Sequence, residues 1–176
     1  MQIIKTFIAI SCVILLAACA SKGNLYSESS HHIYAGIDMA QEQLLMQQRT
    51  VLFDFDKTDV KPEFLPILAA HARYLRANPQ QRLLLAGNTD IRGSREYNLA
   101  LGEQRANSVA QIMVADGVNP GQLVNMSFGS EVPVNCGQSE QAFTENRRVD
   151  LVSCHDKTCQ SAAKRYTHET LCSANS

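Results

Sequence analysis

The stretch GNTDIRGSREYNLALGEQRA, Gly87 to Ala106, places an arginine on the apolar side of a helix, and this constrains the fold of the 176-residue chain more than any other feature. The run before it, Arg82-Leu83-Leu84-Leu85-Ala86, is apolar and closed by Gly87, the pattern of a buried strand. Gly93 breaks the chain and Ser94 is a fitting N-cap. From Ser94 to Asp116 the apolar residues Tyr97, Leu101, Val109, Ile112 and Met113 recur at helical spacing, and Gly117 supplies the stop. Arg105 falls four residues after Leu101 and four before Val109, so the helix turns it inward. A guanidinium there calls for an anionic partner, and Asp90 is the nearest candidate. Two readings follow from the residues alone: a structural salt bridge between loop and helix, or a receptor whose two charges are held apart for a ligand carrying both an ammonium and a carboxylate. Structural ion pairs outnumber binding sites.

The N-terminus speaks to location. Lys5 precedes an apolar core from Phe7 to Leu16 that is too short for a spanning helix, as in a secretory signal. It closes on Leu16-Ala17-Ala18-Cys19, which resembles the lipobox of bacterial lipoproteins. That resemblance implies removal of residues 1–18 and lipidation of Cys19. More than one acyl chain is needed for stable anchoring, and a lipoprotein has enough. Ala20, rather than Asp, follows the cysteine, and under the enteric-type sorting rule of the lipoproteins it resembles this implies the outer membrane, on its periplasmic face. Residues 19–36 lack a hydrophobic period and read as a tether; fully extended, Ala20 to Ala35 reaches about 55 Å at ~3.3–3.6 Å per residue. His31 and His32 lie in it without a second ligand at useful spacing. Residues 37–49 read as a lead-in helix with Ile37, Ala40, Leu44 and Leu45 as an apolar stripe expected to cover the domain.

The domain proper spans 50–153. Val51 to Phe55 alternates as a strand, Asp56 to Val60 turns, and Pro62 opens a helix to about Asn78, with His71 expected at its surface or edge. After the Arg82 strand and the long helix, Leu123 to Phe128 alternates as a third strand, Gly129 to Thr144 reads as a polar connection, and Arg147 to Ser153 is the fourth strand. The order β-α-β-α-β-β predicts an α/β two-layer sandwich. With 45% hydrophobic and 19% charged residues and a formal net charge of -1, the composition is globular and offers no basic surface for nucleic acid.

Four ordered motifs carry a resemblance: Leu52-Phe53-Asp54-Phe55-Asp56-Lys57; Gly87-Asn88-Thr89-Asp90 with Gly93; Tyr97-Asn98, Leu101 and Arg105-Ala106; and Asn146-Arg147-Arg148-Val149. Together they resemble the OmpA C-terminal-like peptidoglycan-binding domain over residues 44–153. The resemblance implies a wall ligand, the diaminopimelate of the stem peptide, whose side chain ends in an ammonium and a carboxylate on one carbon. Asp90 matches the acid that would accept the ammonium and Arg105 the arginine that would fork onto the carboxylate. The loop from Asp56 to Asp59, with Asp56 and Thr58, would complete the pocket. Asn98 would brace the loop, and Arg147 would sit at the rim. The resemblance also implies a Tol-system periplasmic partner on an overlapping surface. Asn88, where the family usually has His, and Gly102, where many members have Ser, depart from the pattern.

The tail, 154–176, lies beyond the resemblance. With Cys136, its Cys154, Cys159 and Cys172 make an even set, which outside the cytoplasm predicts disulfides of undetermined connectivity. Cys154, Cys159, His168 and Cys172 form the competing zinc series, which irregular spacing and an oxidising compartment disfavour. No G-x-S-x-G elbow, no H-E-x-x-H and, within the domain, no cysteine with a nearby His and orienting acid appears, and the Cys and His group of the tail is better read as disulfides, so neither an enzyme nor a cofactor is expected. The alternative function is an envelope protein-interaction module that uses the domain surface and the tail.

Overall fold

The computed structural model describes residues 39–156 and 158–170. The helices are α1 (Met39–Gln47), α2 (Leu65–Ala77, entered by a 3-10 turn at Pro62–Phe64), α3 (Arg95–Ala115), α4 (Glu140–Asn146) and α5 (Gln160–Thr170); the strands are β1 (Thr50–Leu52), β2 (Arg82–Asn88), β3 (Leu123–Gly129) and β4 (Arg148–Cys154). The sheet runs β1-β4-β2-β3, with β4 antiparallel to both its neighbours and β2 parallel to β3. Only the parallel pair needs a long crossover, and α3 provides it.

Strand β2 is apolar without alternation because both its faces are covered. Leu83 and Leu85 join Val51, Phe53, Val149 and Leu151 under Leu68, Ala72 and Leu75 of α2 and Ala106, Val109 and Met113 of α3. Leu84 and Ala86 point the other way, onto a smaller cluster with Cys154, Cys159, Ala162 and Tyr166. The two-layer α/β sandwich is therefore present, and α5 adds cover on the second face. The tail is stapled to the sheet by a Cys154–Cys159 disulfide spanning 5.1 Å between Cα atoms. Cys136 is disulfide-bonded as well. Zinc coordination by Cys154 and Cys159 is thereby overturned, since their sulfurs are bonded to each other.

Three local expectations need correction. The connection before β4 contains α4, too short for a periodic signal but capped by the Ser139 side chain, which accepts from the Ala142 N–H. His71 is 5% exposed rather than at the surface, and its Nε2 lies 2.9 Å from the Gln48 carbonyl, fixing the segment that leads into β1. Helix α1 does not seat its apolar stripe: Leu44 is 61% exposed, while Glu42 docks on Arg73 of α2 at 2.8 Å. Ile37, Cys19, Cys172 and the tether lie outside the described residues.

Helix α3 crosses β2 at glycine on both sides. A Cβ on Gly87 would fall inside the van der Waals radius of the Gly102 carbonyl, and one on Gly102 would sit 2.9 Å from the Gly87 oxygen and closer still to the Ser127 hydroxyl. The departure at Gly102 is thus a packing fact, a side chain traded for close approach of helix and strand. Because the obstacle at Gly87 is backbone, Gly87→Ala is expected to destabilise by at least ~1–3 kcal/mol. Gly102→Ser, which meets a rotatable hydroxyl first, should cost less. Thermal unfolding of both variants checks the order.

Candidate functional site

The carboxyl ends of β1 and β2 and the N-terminus of α3 converge on a cleft of about 260 Å³ whose lining includes Asp56, Asp90, Tyr97, Asn98, Arg105 and Arg147. Each side chain arrives there for a local reason. Asp90 follows the end of β2, where the β2/β3 register shifts between Gly87 and Asn88, and the Thr89 N–H is held by the Gly129 carbonyl at 2.8 Å. Such irregularities re-aim the residues beyond them. Ser94 caps α3 by accepting from the Tyr97 N–H, which sets the helix phase. Asp56 occupies the left-handed region at φ 56° at the apex of the first loop.

Arg105 is fully buried, and its partner is not Asp90. Its Nε donates to the Lys57 carbonyl at 2.9 Å, Nη1 to the Asn88 carbonyl at 2.9 Å and Nη2 to the Asp54 carbonyl at 3.1 Å. Its guanidinium lies 5.2 Å from the centroid of Phe53. The expected salt bridge is thus replaced by a cage of three carbonyls, each an oriented dipole at a strand or loop end. Two of the five guanidinium N–H groups remain. Burial, and then the nearby Arg147 charge, lower the Arg105 pKa to about 10, so it stays charged at neutral pH.

Asp90 is 4% exposed and is claimed by two other arginines. Arg92 donates to it from its backbone N–H at 3.0 Å, from Nε at 3.1 Å and from Nη2 at 2.6 Å; Arg147 adds Nη1 at 3.2 Å. Burial raises the carboxyl, but the hydrogen bonds from Arg92 and Arg147 outweigh it, and the pKa falls below the ordinary Asp value. Arg147 is buried rather than at the rim: its Nε donates to the Phe53 carbonyl at 3.1 Å, and Nη2 to Thr144 Oγ1 at 2.9 Å. Asn98, 2% exposed, lines the cleft wall. Thr58 is half-buried and is not among the lining residues.

Sequence reasoning missed three members. Arg92 is clamped between Phe55 and Phe143, 4.3 and 4.5 Å from their ring centroids. Tyr97, read as a core-facing residue, is 49% exposed and donates its hydroxyl to Asp56. Glu140 of α4 accepts from Arg147 Nη1 at 3.1 Å. An Asp-x-Arg pair on a loop was the available signal for Arg92; nothing local announces Glu140, which the tertiary fold brings in.

These features define a class. The profile of the OmpA family matches residues 52–147, and the chain belongs to that family. Within it, the chain is similar to proteins named peptidoglycan-associated lipoprotein. That of Haemophilus influenzae is 40% identical over 153 residues, covering 85% of this chain and 97% of the relative. That of Pseudomonas putida is 47% identical over 113 residues, covering 64% and 68%. The crystal structure of the peptidoglycan-associated lipoprotein from Burkholderia pseudomallei, 43% identical, superposes with a TM-score of 0.61 over 62% of this chain and 92% of that one.

The Asp90 pairing makes an acid-side prediction. A depressed carboxylate contributes stability that is complete above its unfolded pKa of ~3.9 and is lost as pH falls through the lower folded value. Wild type should therefore exceed Asp90→Asn in melting temperature at pH 7, and the gap should close below pH ~4. Melting curves across that range test it; a gap that persists in acid would mean that the loss comes from packing.

Proposed function

We propose that this protein is an outer-membrane lipoprotein that grips peptidoglycan non-covalently and ties the membrane to the wall, without catalysing a reaction. The observation that carries the reading is the cleft itself: a buried carboxylate and a buried guanidinium, each fixed by other partners and not by one another, open to the same space. Family membership and relatives whose name records association with peptidoglycan support it.

The proposed ligand is the diaminopimelate end of a stem peptide. Its carboxylate takes the two guanidinium N–H groups that the carbonyl cage leaves on Arg105, a bidentate contact. Its ammonium goes to Asp90. All four acceptor positions of Asp90 are already engaged, three by Arg92 and one by Arg147, so Arg92, 37% exposed at its side chain, must yield for the ammonium to enter. Asp56 and Tyr97 close one wall of the cleft, Asn98 another, and Arg147 holds Asp90 from behind. Thr58 acts through its loop rather than by contact. Cys19 carries the lipid anchor, and the tether spans the gap to the wall.

A second, compatible role rests on the rim. Phe55, Ile91 and Tyr97 are 58%, 50% and 49% exposed beside a charged cleft, an unusual apolar concentration for a surface made only to bind a small polar group. We assign this rim to a periplasmic protein of the Tol system, with wall and protein competing for one face.

Pulldown by purified sacculi tests the main reading. Asp90→Asn and Arg105→Lys are each expected to lower retention at least tenfold, since a charge-assisted hydrogen bond contributes ~1.5–3 kcal/mol. Asp90→Asn should keep the wild-type circular dichroism. Undiminished retention by Asp90→Asn would rule the site out.

A further inference from the structure

On the second face of the sheet, the tail helix α5 sends Tyr166 into a buried polar cluster. The ring is 6% exposed and packs on Phe128 with centroids 5.0 Å apart. Its hydroxyl donates to Asp150 Oδ2 at 2.6 Å and accepts from Arg148 Nη2 at 2.9 Å and from Asn88 Nδ2 at 2.7 Å. The one donor and two acceptor positions of a phenol are all used. Burial, with the Asp150 charge, raises the phenol pKa, so the proton that this arrangement needs stays in place.

Asn88 is the joint between this cluster and the cleft. Its side chain, 1% exposed, donates to Tyr166 and to the Ala86 carbonyl at 2.8 Å, while its own carbonyl accepts Arg105 Nη1. Asn88 is also the last residue of β2, two before Asp90, and it stands where the register shifts. A residue that ends a strand at an irregularity has few ladder bonds to orient it, so the side-chain bonds fix its carbonyl. Histidine at this position could not reproduce an amide N–H₂ that serves two acceptors at once. Tail and departure thus belong together: Asn88 at the end of β2 and Tyr166 in α5 are two halves of one contact, and the Cys154–Cys159 disulfide at the root of α5 keeps the second half docked.

We propose that Tyr166 is a positioning residue for the ligand cleft, acting through Asn88 on Arg105, and that the stapled tail helix sets the affinity of the site from the opposite face of the sheet. The proposal rests on the wall-binding reading for its ligand but not for its coupling. Removing the phenol oxygen frees the Asn88 amide, loosens the carbonyl that holds Arg105 and blurs the two remaining donors of the fork.

The test is a double-mutant cycle on the full chain in detergent, titrated with the soluble tripeptide L-Ala-D-Glu-meso-diaminopimelate by calorimetry, alongside the exchange rate of the Arg105 Nη1–H, the donor to the Asn88 carbonyl, in the ligand-free protein by NMR. Tyr166→Phe is expected to weaken Kd by about three- to tenfold, as residues remote from a ligand do when they tune coupling. Asn88→Ala should do the same, and the double variant should be no weaker than the worse single one. Nη1–H exchange should quicken severalfold in both single variants. An unchanged Kd for Tyr166→Phe, or single effects that multiply in the double variant, would overturn the coupling. If wild type fails to bind the tripeptide, the wall-binding reading falls, and the exchange rates alone decide: unaltered Arg105 exchange in Tyr166→Phe refutes the positioning role.

Discussion

The segments that form the cleft are joined through a buried cation, Arg105. Arg105 has no carboxylate within its own contacts, and a guanidinium taken out of water is costly unless its hydrogen bonds are replaced. Three carbonyls replace them, at Asp54, Lys57 and Asn88, which belong to the loop after β1 and the end of β2. Through this one side chain, α3 pins the two segments that form the cleft. The same economy explains the glycines at 87 and 102: the helix must lie close against β2 for the guanidinium to reach across it.

Charge is arranged around this core in a second tier. Asp90 is held by Arg92 and Arg147 and so stays ionised despite burial. Arg147 in turn touches Phe53, Glu140 and Thr144, which ties β4 and α4 to the same point. Of the groups on Asp90, Arg92 is the one that can leave, being half-exposed and sandwiched between two rings instead of packed in the interior. At rest, the carboxylate of the cleft is thus paired with the protein's own side chains.

Much of this was readable in the chain. The run Leu83 to Ala86, the Ser94 cap and the inward phase of Arg105 follow from periodicity and turn chemistry, and the motif order led to the family. The partner of Arg105 was not readable, because backbone carbonyls carry no sequence signature and an inward arginine suggests an acid by default. Arg147 looked like a rim residue since its burial is created by α4, a helix of two turns hidden in a polar connection. His71 looked exposed because the Gln48 carbonyl that satisfies it comes from another segment. The tail cysteines predicted a staple, but not that it would dock Tyr166 on Asn88, where a strand-end residue and a tail residue far apart in the chain complete each other.

The central claim is that the cleft reads an ammonium and a carboxylate on the same carbon, the first at Asp90 and the second at Arg105. Its most direct measurement compares two soluble stem tripeptides that differ only in the third residue, meso-diaminopimelate or L-lysine, by calorimetric titration of the full chain. Lysine keeps the ammonium and lacks the carboxylate, so the account predicts that it binds at least about tenfold more weakly, the loss of a bidentate charge-assisted contact. Equal affinities for the two peptides would contradict it.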